Sequence, residues 1–399
     1  MKRFIYITLI SFVLTGCFSS SDSKKSIKIS EDSYVVQTVA ADYGSSEVVY
    51  GNIVGDRTIQ NTILKTEKSD FSISTYKNIL YHIGTYYIDT ISRFDSNLDL
   101  EEPEWSYSAN DDGDASANPY KVVHVNDDKA YVIRYDSSNV WEINPNATNS
   151  DSFVTARIDL SAYNYGQAAS PNMSDAVYYN GYLYVIMQRL DYDEDFTMLF
   201  DKTYVAVIDT ETNKETNTYL GKDGLFGIPL NADNANDSAL HNGYLYVAGR
   251  GDYSNNSGAL DKINLVTYEI ESIANVETFE ILNDNDNNRY AHITDVAIID
   301  NNKGYILVSV EGIYPELPSS YIFPFNPSDN KIGNKLDIPS LKNTLVSDIT
   351  TDANGKLWIA VSNPENPEIL VYDTDIDKQS GDSIKLNMPP SKIEFLTVE

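Results

Sequence analysis

The sequence predicts an all-β protein, a seven-bladed β-propeller of four-stranded antiparallel blades closed by its C-terminal strand. Three observations carry this: strand-rich composition, one aromatic landmark recurring at near-constant spacing, and a last strand that fits a gap at the start. The chain has 399 residues, 42% hydrophobic and 22% charged, enough apolar material for a sizeable core. Thirty tyrosines favour strands. From about residue 31 onward, short β-branched and aromatic runs alternate with Asn, Asp, Gly and Ser clusters. No long helical periodicity interrupts them.

The landmark is a turn followed by an aromatic inside an apolar strand. Asn180-Gly181-Tyr182-Leu183-Tyr184-Val185 and Asn242-Gly243-Tyr244-Leu245-Tyr246-Val247 match letter for letter, and Asn354-Gly355-Lys356-Leu357-Trp358-Ile359 repeats them with Trp. Looser copies surround Tyr34, Tyr81, Tyr131 and Tyr305. The seven landmarks lie 47, 50, 53, 62, 59 and 53 residues apart, a period that fits one propeller blade. Insertions at Tyr192–Lys202 and Glu280–Ala291 account for the long intervals.

A second element trails six landmarks: an apolar strand ending in Asp or Asn, then a polar turn. It occurs at Asp95, Asn144, Asp209, Asn264, Asn326 and Asp373. These side chains accept from backbone amides two residues on and so start a turn. A third element opens a strand with Asp beside a small polar residue, at Asp70, Asp175, Asp237, Asp295 and Asp348. The first landmark has no strand before it. The segment from Pro390 to Leu396 supplies that strand, and pairing it beside Tyr34 removes two open edges.

The Tyr-Val strand followed by Val207-Ile208-Asp209-Thr210 or Val371-Tyr372-Asp373-Thr374 resembles the YVTN-type, quinoprotein-like seven-bladed propeller repeats of bacterial exported proteins. The resemblance spans residues 31–399 and implies architecture; it carries no catalytic residue. At the other end, Lys2 and Arg3, an apolar run from Phe4 to Leu14 and Leu14-Thr15-Gly16-Cys17 form a secretory signal. That tetrad resembles the bacterial lipobox, in which the cysteine is lipidated. Residues 1–16 are thus expected to be a signal peptide, and residues 17–30 a lipidated Cys17 with a flexible tether. Phe18 stands where the inner-membrane retention signal has Asp, which favours the outer membrane. The expected location is the bacterial cell envelope, lipid-anchored.

Fifty-nine acidic residues oppose 29 basic ones, a charge of −30 that argues against nucleic acid as a partner. Losing residues 1–16 leaves 27 basic against 59 acidic residues, or −32. The single cysteine excludes a disulfide framework.

Propeller ligands sit where inner strands begin, so Asp175, Asp237, Asp295 and Asp348, with Asp70, are expected to ring the channel mouth. Such an oxygen-rich ring suits Ca²⁺; the competing assignment has each Asp capping its own turn or tying to a neighbouring blade. Arg134-Tyr135-Asp136, Arg189-Leu190-Asp191 and Arg250-Gly251-Asp252 follow three successive landmarks. As a set, Arg134, Arg189, Arg250, Asp136, Asp191 and Asp252 are candidate ligand contacts at the mouth, their guanidiniums suited to a carboxylate or phosphate. The competing assignment is blade-to-blade pairing. Acidic loops at 110–114, 191–195 and 283–287 begin like calcium loops but lack the EF-hand Gly and Glu. His82, His124, His241 and His292 fall in different repeats. No nucleophile elbow, Walker loop or His-Glu-x-x-His is present.

These features point first to an anchored, non-catalytic module binding an envelope protein, a glycan or a small ligand. The alternatives are a Ca²⁺-dependent hydrolase or lactonase using the channel carboxylates, and a scaffold subunit of an envelope complex.

Overall fold

The structure is a computed structural model, and it describes residues 27–398 apart from 112, 114, 196, 280–288 and 312–317. Cys17 and the signal segment lie outside the described residues.

Seven antiparallel sheets stand around a central axis, each led from the inside by its first strand. Blade 1 joins Pro390–Leu396 to Ser33–Val39, Ser46–Asn52 and Ile59–Thr66. The C-terminal strand therefore closes the ring, with Tyr34 opposite Phe395 and Val36 opposite Ile393. The inner strands of blades 2 to 7 are Phe71–Tyr76, Pro119–Asn126, Met173–Tyr179, Ala235–His241, Ala291–Asp300 and Val346–Thr351. Each contacts its neighbours, so the inner strands form one ring.

Blade 6 departs from the expected four strands. Ala291–Asp300, Lys303–Val310 and Ser319–Phe325 pair regularly, and the fourth position is reduced to a bridge between Phe325 and Ile332. Pro324, in the third strand, has no amide hydrogen for a ladder. The insertion after Tyr184 forms its own hairpin, Leu190–Tyr192 with Met198–Phe200, apart from the blade 4 sheet.

All seven landmark aromatics are buried on the second strand of their blades. Four reach across a blade boundary with their hydroxyls: Tyr81 to His124 Nε2 at 2.8 Å, Tyr131 to Asn213 Oδ1 at 2.7 Å, Tyr184 to the Leu265 carbonyl at 3.1 Å, and Tyr305 to Asp377 Oδ1 at 2.8 Å. The Asn-Gly hairpins hold both residues at positive φ (48° and 88° at 180–181, 47° and 77° at 242–243), as a type I′ turn requires. All six trailing Asp or Asn side chains accept the amide two residues on, as at Asp95 from Asn97 and Asn264 from Val266.

Candidate functional site: the central channel

Six of the seven inner strands carry a β-bulge at the same place. The extra residues are Tyr120, Ser174, Asn236, Thr294, Ser347 and Ser391. The residues that follow them are Lys121, Asp175, Asp237, Asp295, Asp348 and Lys392. A bulge leaves one residue unpaired and re-aims the next, and all twelve of these side chains line one axial cavity of about 490 Å³. Blade 2 has no bulge, and Ser72 lines the cavity there. Asp70, expected in this ring, is exposed outside it, because it precedes the inner strand, which begins at Phe71.

The four predicted aspartates thus share one cavity, but mostly as ties between blades. Asp175 accepts from Lys121 Nζ at 2.6 Å on one side and from Ser238 Oγ at 2.5 Å on the other. Asp295 accepts the amide of Ile349, in the next inner strand, at 2.7 Å, as well as that of Val296 at 2.6 Å. Asp348 Oδ2 accepts the Ile393 amide at 2.8 Å. The assignment of aspartates to neighbouring blades holds for these three. Among the described residues, no three His, Cys, Asp or Glu are grouped to hold a metal ion.

Asp237 and Asp295 line the cavity together, close enough that each biases the ionisation of the other. Burial raises both, Asp295 well above the usual carboxylate range, and the charge of its partner adds to that rise. Burial also pushes Asp348 up to about 7, with the Ile393 amide and Lys392 opposing. Burial lowers Lys121, but Asp175 outweighs it and leaves the ammonium above its ordinary value. Lys392 pairs with Glu394 at 3.1 Å. Lys121, Lys392 and Glu394 are functional groups that the sequence reading missed. The available signal was a small polar residue before a charge of either sign, as in Ser391-Lys392.

The three Arg-x-Asp motifs end their second strands on the face where the inner strands begin, but none of their six side chains lines the cavity. Arg134 is fully buried, donating to the Ala109 carbonyl at 2.9 Å and to Asp111 at 3.0 Å while stacked 3.9 Å from Trp141. Arg189 donates to the carbonyls of Tyr163 and Lys202 and pairs with Asp201 at 3.0 Å. These two are structural, which corrects their reading as ligand contacts. Arg250 differs, having Tyr253 Oη as its acceptor at 3.4 Å and a buried Nε without a partner. Asp136 accepts from Asn118, Asp191 from the Gln167 amide, and Asp252 from Ser254 and Asn255, so each orders a loop.

The acidic loops go the same way: Asp111 serves Arg134 and Arg157, and Asp193 caps Asp195 and Thr197. Residues 283–287 lie outside the described residues. His82 and His124 stack on Phe71 and Tyr76, and burial lowers both to about 4. His241 and His292 stand at opposite ends of their strands and bond Asn301 and Arg250 respectively, so they form no pair.

No protein-family model matches the chain, and no curated protein matches its sequence. Its fold is similar to solved structures. One is a candidate 6-phosphogluconolactonase of Bacteroides uniformis, at 12% identity and a TM-score of 0.60 over 92% of this chain and 99% of that one. Another is the periplasmic gluconolactonase of Pseudomonas aeruginosa, at 10% identity and a TM-score of 0.59 over 93% and 100%. A third is a protein of Lactobacillus plantarum, at 13% identity and a TM-score of 0.58 over 92% and 100%. At these identities the likeness shows the fold, a seven-bladed β-propeller.

Proposed function

We propose that the central channel is the active site of a hydrolase that opens small neutral lactones. The observation that carries this reading is the set of acid–base groups lining one cavity: Asp237 and Asp295, both raised by burial, with Asp348, whose carboxyl burial pushes up to about 7. Asp348 is held by the Ile393 amide through Oδ2, leaving Oδ1 for a water. In this reading Asp348 takes a proton from water as the water oxygen bonds to the lactone carbonyl carbon. The ring ester C–O bond then breaks, and its oxygen takes a proton from Asp295, whose carboxyl burial keeps raised. Lys392 acts on both carboxyl sites and supplies positive charge for the carbonyl oxygen. Five carboxyl groups face two lysines in the cavity, so a phosphorylated lactone is repelled and a neutral one admitted. The likeness to lactonase propellers supports the reaction class.

The test is acid release from D-glucono-1,5-lactone above its spontaneous rate, followed by pH-stat. Asp348→Asn is expected to lower turnover about 100-fold while the circular dichroism is unchanged. Because Asp175, Asp295 and Asp348 are each tied to groups of neighbouring blades, EDTA is expected to leave turnover intact. Equal rates for the wild type and Asp348→Asn would sink the reading.

A second reading, a non-catalytic binding module, draws on the bonds from Asp175, Asp295 and Asp348 to the next blade. It expects Asp348→Asn to change stability alone. Under either reading we propose that Cys17 is lipidated and holds the propeller to the bacterial envelope; palmitate labelling lost in Cys17→Ala tests this.

A further inference from the structure

We infer that Arg250 forms a carboxylate-binding site at the channel mouth, taking the acid end of a small polyhydroxy acid. The guanidiniums of the chain are otherwise largely committed. Arg93 pairs with Glu104, Arg134 and Arg157 share Asp111, Arg189 holds Asp201, and Arg57 donates to the carbonyls of Ile53 and Ser380. Among the described residues, Arg250 has no carboxylate partner, although the protein carries a charge of −30. Its Nη1 reaches Tyr253 Oη at 3.4 Å, a long bond, while the Tyr253 ring lies 4.8 Å from the guanidinium carbon. Its Nε is buried and donates to nothing. A buried donor without a partner is unfavourable, and a bound acceptor relieves that cost.

The position is built from both sides. The Arg250 backbone is held on both sides: its amide donates to the Asn234 carbonyl at 3.0 Å, and its carbonyl lies 3.0 Å from Nδ1 of the fully buried His292. The other nitrogen of His292 faces Glu311 at 3.2 Å, so the imidazole is oriented by a carboxylate that does not reach Arg250. Asn236 and Thr294, each two residues along an inner strand from these anchors, line the cavity. Two residues of strand span about 7 Å, roughly the length of a small sugar acid. Tyr120 lines the cavity and stacks on Tyr135 with ring centroids 4.8 Å apart. A guanidinium fork binds a carboxylate through two parallel N–H bonds, and tyrosine faces suit the C–H side of a polyol.

This site rests on the channel as the ligand's route but not on catalysis there. For a lactone hydrolase it would receive the newly formed carboxylate as the acidic channel expels it.

Calorimetric titration with D-gluconate tests the inference directly. Wild type is expected to bind, Arg250→Gln to weaken binding about tenfold or more, and Arg250→Lys to restore part of it. Arg157→Gln, which removes an exposed guanidinium with the same charge change, is expected to bind as wild type. Equal affinity in wild type and Arg250→Gln, or no binding by folded wild type, overturns the site. Loss of gluconate binding in Arg250→Gln without any lactone turnover in wild type would uphold this site and sink the hydrolase reading. Turnover with gluconate binding insensitive to Arg250 would do the reverse.

Discussion

Four of the landmark tyrosines, Tyr81, Tyr131, Tyr184 and Tyr305, serve two purposes with one side chain. The ring fills the space between two sheets, and the hydroxyl, placed at the far edge of that space, finds an acceptor in the next blade. Legibility at this scale was high wherever the partner is local. The Asp and Asn turn starters bond two residues along the chain, so all six could be read from spacing alone. Partners distant in sequence could not: Arg134 to Asp111, and Tyr131 to Asn213 across 82 positions, depend on how sheets stack. Arg134 shows the consequence, since a motif that suggests ligand binding is here a buried structural cation. Replacing it with Ala is expected to cost about 3 kcal/mol, read as a lower urea midpoint with an unchanged slope; a midpoint within error of wild type would contradict its structural role.

At the level of the strand, the repeated bulge does most to shape the site. It sets a polar residue and an ionisable one facing the axis in six blades, and the sequence reading recognised the four that carry Asp while missing the two that carry Lys. The failure is physical: a bulge has no periodic signature, so the shift in facing is invisible until the strand is paired. Strand pairing at the ring closure was legible, because an orphan strand at each terminus implies the other. Ile393 and Leu396 are buried in that closing strand, and removing residues 390–399 forfeits about 4 kcal/mol from these two side chains. It also exposes the edge of Ser33–Val39. Truncated protein is expected to melt at lower temperature and to self-associate in size-exclusion chromatography. A monomer with wild-type melting would refute the closure's importance.

Over the whole molecule, the charge of −30 is carried mostly by exposed residues, while the channel holds only a few carboxyls, Asp175 and Asp295 buried and Asp237 and Asp348 half-buried. Their effect on stability has a definite sign. Burial raises Asp237, Asp295 and Asp348, so the native state keeps protons that the unfolded chain has released, and stability falls as pH rises through about 7. Lys121 with Asp175 and Lys392 with Glu394 face the same groups and temper the fall. His82 and His124 act oppositely, since burial lowers both from 6.5 to about 4 and their contribution is lost as pH falls through that window. Between about pH 4 and 6.5 the two trends oppose each other, and above that range only the carboxyls still titrate, so the melting temperature is expected to decline as pH rises from about 6.5 through about 7, with Asp348→Asn flattening the decline. A steady rise over that range would show the carboxyls to be ionised in the native state. The sequence by itself determined the number of blades, their order and the manner of closure, because each rests on local periodicity and short-range turn chemistry. Only the tertiary structure decided which charges meet: the bulges turn Lys121 and Lys392 inward beside the aspartates, tie three of those aspartates to neighbouring strands, and leave Arg250 alone among the three arginine motifs without an acidic partner. Those outcomes depend on contacts between residues dozens of positions apart, which no spacing along the chain encodes.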